Sequence, residues 1–261
     1  AEETEIKHND AIIGKISPIL PTGKDNKVYS DSSEIYKNNV PGVINRIHKF
    51  YNSEGYETMN VSVRMERTPI IADKFASRFG QKGTIGIALP QRDMPFTESG
   101  IIPDVIMNPH SIPTRMTMGQ LLETITGKIG AEEGKFIDAT PFNNYDVKDI
   151  PETMKKLGFN PHGTEKMYCG ITGQEIETHI FIGPVYYMRL KHMVLDKIHG
   201  RARGPKQALV RQPLEGRTRA GGLRIGWMEK DSMLAHGAGQ FLKERLVECS
   251  DLETFHICDD C

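Results

Sequence analysis

The chain has 261 residues, enough to bury one large core or two smaller ones. Hydrophobic residues at 38% and charged residues at 26% fit a globular composition, and no run of about 18 apolar residues is present to span a membrane. A net charge of −1 conceals a strong asymmetry along the chain, described below.

The N-terminal AEETEIKHND is acidic and polar, unlike a signal peptide, and the lack of an initiator Met leads us to expect a fragment or processed product. Ile12 and Ile13 with Ile16 make a short apolar run, and residues 20–57, rich in Asn, Ser, Gly, Asp and Lys, predict loops around short strands. Val61, Val63 and Met65 alternate with Ser62, Arg64 and Glu66, the period of a half-buried strand; Ile85, Ile87 and Leu89 predict another. Helices follow. Met118, Leu121, Leu122, Ile125 and Ile129 mark an apolar face, with Thr117 and Gln120 as a capping box. Asp149, Pro151 and Glu152 open a short helix that Gly158 ends. Tyr187, Leu190, Val194 and Ile198 predict a third helix, carrying His192 off its apolar stripe, and Leu234, Ala238, Phe241, Leu242 and Leu246 a fourth. The expected class is mixed α/β, without repeats.

Chemistry concentrates between the two strand patterns. In KFASRFGQK, Lys74, Arg78 and Lys82 are evenly spaced beside Gly80 and Gly83, and no carboxylate follows Lys74 until Asp93. Cations beside flexible backbone suit phosphate binding, but the stretch has no general base and no metal-binding carboxylate pair. A solvated basic turn is the alternative. Arg115 precedes the Thr117 cap, where free N–H groups and the helix dipole already favour anions; its alternative is an ion pair with Asp104. His192 reads either as a structural histidine or, with Arg189, Lys191 and Lys197 around it, as part of the cationic site.

From Arg189 to Arg224 ten Lys or Arg face only Asp196 and Glu215; from Ile225 onward eight acids face three cations. Clustered cations in a near-neutral chain indicate a polyanion-binding face, and seven of the ten are Arg, which favours bidentate phosphate contacts. Cys169, Cys249, Cys258 and Cys261 are too few and too unevenly spaced for a disulfide framework, so a reducing compartment is expected. The CDDC ending at Cys261 supplies two thiolates, half of a tetrahedral zinc set.

Four blocks in order carry a resemblance: ADKFASRFGQKGTIGI, DMPFTESGIIPDVIMNPHSIPTRMT, YYMRLKHMVLDKIHGRARGP and RQPLEGRTRAGGLRIGWMEKD. They resemble the second-largest subunit of multisubunit DNA-directed RNA polymerases, in its eukaryotic, archaeal or large-DNA-virus form rather than the bacterial one. The resemblance runs from about Ala11 to Cys261 and corresponds to roughly the last quarter of such a subunit, minus its extreme C-terminus. It implies a wall portion over 1–67, a hybrid-binding active-centre region with part of a double-psi β-barrel over 68–224, and a helical anchor with the start of the clamp over 225–261.

The resemblance also implies residue roles. Lys74 and Lys82 fall on the family's two active-centre lysines, which face the RNA 3′ end and the nucleotide. Arg115 falls on its triphosphate-contacting arginine, and His192 on a histidine near the same phosphates. Arg201, Arg203, Lys206, Arg211, Arg217 and Arg219 fall in the segment lining the RNA–DNA hybrid, and Cys258 and Cys261 on the first pair of a clamp zinc ribbon. The implied activity is template-directed nucleotidyl transfer from NTPs. The chain would be inactive alone, because Mg2+ is held mainly by the largest subunit; Zn2+ needs a second cysteine pair. Implied partners are the largest subunit, the remainder of this subunit, other polymerase subunits, template DNA, nascent RNA and NTPs, with no membrane. The expected location is intracellular: the nucleus in a eukaryote, the cytoplasm in an archaeon or for a cytoplasmic DNA virus. A non-catalytic nucleic-acid-binding module or an assembly fragment of the same family is the alternative. Two positions depart from the pattern: Phe79 stands where the family has His, and Ala72 where it has Gly. Such departures would suit a divergent viral enzyme. Alanine is tolerable at that position with negative φ and strained otherwise.

Overall fold

The computed structural model describes residues 1–19, 28–142 and 146–261, so the expectation for 20–27 lies outside it. The chain divides into two compact units, Ala1–Pro69 and Ile70–Cys261. Both are built from small sheets, and the second adds helices, so the class is mixed α/β. Among the described residues no sheet has more than three strands and none closes into a barrel.

The first unit contains β1 (Glu5–Ile6), β2 (Ala11–Ile13), β3 (Ile16–Pro18), β4 (Tyr29–Asp31), β5 (Glu34–Ile35), β6 (Gly42–Tyr51) and β7 (Glu57–Arg64). A β1–β6–β7 sheet is flanked by the pairs β2–β5 and β3–β4, all antiparallel. Buried Ile6, Tyr36 and Ile44 form its core, with Ile12, Ile47, Val61, Val63 and Met65 packed against them. The alternation at Val61 and Val63 is realised in β7. The ten-residue β6 corrects the loop expectation for that stretch. A register shift between Ile44 and Arg46 breaks the two-residue period. Ile44 and Ile47 therefore stand three apart in the same core, a spacing that does not read as a strand.

The second unit contains β8 (Lys74–Ser77), β9 (Gly83–Thr84), β10 (Phe96–Thr97), α1 (Ser111–Arg115), α2 (Met118–Glu133), α3 (Ile150–Lys156), β11 (Thr164–Tyr168), β12 (Glu175–Phe181), β13 (Tyr187–Arg189), α4 (Trp227–His236) and α5 (Gly239–Lys243). Its sheets are β13–β8–β9 and β10–β11–β12. Ile129 of α2 packs on Ile150 and Met154 of α3, forming an apolar core for this unit. The α3 signals hold: Asp149 precedes the helix, proline sits in its first turn, and Gly158 has φ 84°.

Four local expectations are corrected. Tyr187, Leu190, Val194 and Ile198 do not share a helix: Tyr187–Arg189 is a strand paired with β8, followed by a single 3-10 turn at Val194–Asp196. Pairing with β8 overrides the helix-like spacing. Of Ile85, Ile87 and Leu89, none lies in a named strand; β9 stops at Thr84, and only Ile85 exchanges backbone bonds, with Ala72 and Asp73. Thr117 makes no side-chain cap; its hydroxyl accepts a tertiary bond from Gln81 instead. Gly237 (φ 80°) splits the fourth stripe into α4 and α5. The buried face of α2 is also more polar than expected: Gln120, Thr124 and Lys128 are buried, and the Lys128 ammonium pairs with Glu165 and lies over the Phe159 ring.

Ala72 has φ 75°, the left-handed region that disfavours a side chain. It is held there because its N–H donates to Ile85 O (2.8 Å) while Ile85 N–H donates to Asp73 O (3.1 Å). Relief of the β-carbon strain, less the greater unfolded-state freedom of glycine, makes Ala72→Gly stabilising by about 0.5–1 kcal/mol. Urea unfolding of the two chains checks this; an unchanged or lower midpoint for the glycine variant contradicts it.

Candidate functional site

The β13–β8–β9 sheet organises the predicted cations. Alternation along β8 sends Phe75 and Ser77 to one side and Lys74 and Ala76 to the other. The first side faces α2, where the Ser77 hydroxyl donates to Gln120 Oε1 (3.3 Å). Lys74 therefore points away from that contact. Thr84 of β9 lies across from Lys74, and Lys82 is one pleat repeat before Thr84. The reversal between the strands uses Gly80 at φ 73°. Among the described residues neither the Lys74 nor the Lys82 ammonium pairs with a carboxylate.

Arg115, the last residue of α1, is joined to this turn. One of its terminal nitrogens, Nη1, donates to Gly80 O and to Gln81 Oε1, both at 3.3 Å. The alternative partner, Asp104, is not used. Gln81 is buried, and its Nε2 donates to Ser111 O (3.0 Å) and to Thr117 Oγ1 (2.7 Å). Phe79 covers the start of α2: a β-carbon added at Gly119 would stand 2.7 Å from its ring.

His192 is exposed in the loop after β13 rather than on a helix. Both flanks of that loop are fixed to β8 and the residue before it. Leu190 N–H donates to Lys74 O (2.9 Å), and Val194 N–H donates to Asp73 Oδ1 (3.1 Å). Asp73 also accepts from Arg189 Nη2 (2.5 Å) and from Ile70 N–H (3.3 Å). Burial pushes the Asp73 carboxyl upward, but the Val194 N–H and the Arg189 guanidinium outweigh it and hold the carboxyl below the ordinary aspartate value. The structure thus joins Lys74, Lys82, Arg115 and His192 to one short sheet and its turns.

The remaining basic candidates lie on residues 195–221, which fold with little regular structure. Arg201 donates to Ala220 O (2.7 Å) and Pro205 O (3.0 Å), and Arg217 to Ile198 O (3.0 Å) and Leu195 O (2.9 Å). His199 Nε2 lies 2.7 Å from Gly221 O. Arg211 pairs with Glu253 at 3.4 Å, both exposed. Arg203, Lys206 and Arg219 are exposed and, among the described residues, have no carboxylate partner. Cys258 and Cys261 are exposed and remote in sequence from the cationic sheet. The N–H of Asp260 and then the Cys261 thiol lower the Cys258 pKa. No group of three or more His, Cys, Asp or Glu among the described residues could hold a metal. The pair therefore fits zinc only as half of a ligand set.

Asp73 and Gln81 were missed by sequence reasoning. Asp73 had a signal: it is the acid directly before the cationic stretch, and once buried it needs a cationic partner, here the half-buried Arg189. Gln81, a neutral amide between Gly80 and Lys82, had none beyond its place.

Comparison with known proteins accounts for the whole chain. The family described as RNA polymerase Rpb2, domain 6 matches residues 1–219, and RNA polymerase Rpb2, domain 7 matches residues 221–261. These domains define the chain as part of a multisubunit polymerase subunit. It belongs to the family of the second-largest subunit of DNA-directed RNA polymerase. The chain is 50% identical to DNA-directed RNA polymerase II subunit RPB2 of Encephalitozoon cuniculi, with 99% of this chain and 23% of that protein covered. It is 48% identical to DNA-directed RNA polymerase subunit 2 of Acanthamoeba polyphaga mimivirus (99% and 22%) and 46% to subunit Rpo2 of Saccharolobus shibatae (99% and 23%). It spans less than a quarter of the length of these relatives.

The Asp73 geometry has a pH consequence. With a depressed folded pKa, its stabilising effect is fully present above the ordinary aspartate value of about 3.9 and is lost as pH falls through the lower folded value. Asp73→Asn should lower the urea midpoint at neutral pH and flatten its fall in acid. Parallel acid limbs for the two chains would contradict the assignment.

Proposed function

We propose that this chain is the part of a second-largest polymerase subunit that positions the NTP and the RNA 3′ end during template-directed nucleotidyl transfer. The observation that carries the reading is the gathering of Lys74, Lys82 and Arg115 around the Gly80 turn without a carboxylate to neutralise the two lysines. Family membership supports it. Lys74 and Lys82 offer point charges to the reacting phosphates, Arg115 contacts the triphosphate, and His192 stands near the same phosphates. Held in place before the reaction, such groups stabilise charge that develops in the transition state.

The Mg2+ ions, held mainly by the largest subunit, activate the attacking and leaving oxygens when bound. The cationic 195–221 segment tracks the RNA–DNA hybrid, with Arg203, Lys206 and Arg219 freest to reach phosphate and Arg201 and Arg217 also holding the loop. Residues 1–67 belong to the wall, 68–224 to the hybrid-binding region with its double-psi barrel portion, and 225–261 to the anchor and clamp start. Cys258 and Cys261 bind Zn2+ where a second cysteine pair is supplied. The partners are the rest of this subunit, the largest subunit, other polymerase subunits, template DNA and nascent RNA. Exposed Leu209, Leu223, Trp227 and Met228 are apolar surface suited to burial in such an assembly. The location is intracellular, and no described helix is long and apolar enough to cross a membrane.

The isolated chain should bind RNA–DNA hybrid weakly and without sequence preference, with a log–log salt slope of about −0.7 to −0.9 per phosphate contact. A titration insensitive to salt would remove the hybrid face. In the assembled polymerase, Lys82→Ala should slow single-nucleotide addition on the order of 10²-fold with little change in Mg2+ dependence. Arg115→Ala should instead raise the NTP concentration for half-maximal rate. A normal elongation rate for the Lys82 variant would sink the active-centre assignment.

A further inference from the structure

We infer that Gln81 is a positioning residue for the polymerase reaction, acting through Arg115. The inference rests on the reading of Arg115 as a triphosphate contact and extends it. Gln81 is 5% exposed, and its side-chain amide has a partner for each function: Nε2 donates to Ser111 O and Thr117 Oγ1, and Oε1 accepts from Arg115. Those partners lie at the start of α1, at its last residue and just before α2. One buried amide therefore ties the β8–β9 turn to the helical segment that carries Arg115.

The geometry selects which edge of the guanidinium remains available. A guanidinium has five N–H donors. Both bonds from Arg115 to the turn leave from Nη1, to Gly80 O and Gln81 Oε1. Among the described residues Nε and Nη2 of Arg115 have no acceptor. Those two nitrogens form the fork that grips two phosphate oxygens side by side. Gln81 thus holds the edge that is not used for phosphate and turns the fork outward. It is also joined by one peptide bond to Lys82, so the spacing between the fork and that ammonium follows from the same residue.

Without the amide oxygen, Nη1 keeps only the Gly80 carbonyl, and the guanidinium rotates about its long side chain. The loss of one hydrogen bond to a charged group corresponds to about a tenfold weaker hold on the triphosphate. The rate at saturating NTP should change less, since Gln81 touches no reacting atom.

The test is single-nucleotide addition by the assembled polymerase carrying Gln81→Met, Arg115→Ala or both, with KM and kcat read separately. Gln81→Met keeps the length of the side chain and removes both polar functions. Gln81→Asn, one methylene shorter, keeps the amide but withdraws it from Arg115, and decides the matter where the Met variant fails to assemble. The expected result is a KM raised about tenfold by either Gln81 substitution, with no further rise when it is added to Arg115→Ala. An unchanged KM, or a rise that multiplies with that of Arg115→Ala, overturns the positioning role while leaving Arg115 as a triphosphate contact. If Arg115→Ala itself leaves KM unchanged, the reading of Arg115 fails, and the role of Gln81 fails with it.

Discussion

The cationic sheet depends on the burial of one carboxylate. Asp73 is 1% exposed, and a charge in that position is tolerable only when donors surround it. Arg189 Nη2 and the backbone N–H groups of Ile70 and Val194 supply them. Each bond fixes a separate part of the site. Arg189 locks β13 to β8, Val194 closes the loop that presents His192, and Ile70 shapes the approach to Lys74. The two apolar clusters lie elsewhere, one in the first unit and one between α2 and α3. The cationic sheet is therefore specified mainly by polar bonds, which demand particular geometry, rather than by apolar area, which does not.

The same reliance on polar bonds appears in the arginine-rich segment. Residues 195–221 lack the apolar periodicity to fold by burial, and regular structure is reduced there to short 3-10 turns and isolated bridges. Arg201 and Arg217 compensate by donating to four backbone carbonyls that no helix or strand would satisfy. Arginine suits this because its planar fork spans two acceptors at once while the charge remains near the surface. The basic composition thus has one origin in the fold of the loop itself, separate from the polyanion contact proposed for it. Residue counts alone merge them.

How far the sequence could be read follows from the range of the forces involved. The β7 alternation and the α3 boundary signals are local, and they were legible. The Tyr187–Ile198 stripe has helical spacing, but its first residues pair with β8, more than a hundred positions away. The Thr117–Gln120 capping box is present in sequence, yet the Thr117 hydroxyl goes to Gln81 and the Gln120 amide to Ser77 and Met107. Tertiary partners outcompeted the local one. β6 was hidden by a bulge that shifts its alternation in mid-strand. Of the site, the cations were legible as charge and as family motif; the neutral and acidic residues that place them were not, because their role exists only in three dimensions.

Ala72 shows how tightly that placement is constrained. A side chain in the left-handed region costs roughly 1–2 kcal/mol, and the chain accepts it one residue before Asp73. The turn there must deliver Asp73 inward and Lys74 outward while Ala72 and Asp73 exchange backbone bonds with Ile85 across the sheet. Like charges at Lys74, Arg78, Lys82 and Arg115 repel one another, and a flexible scaffold would let them spread apart. The Ile85 bonds, the Asp73 pair and the Gln81 amide oppose that spreading from three directions. In the proposed role, an entering triphosphate meets cations already held in place, so its binding energy is not consumed in gathering them.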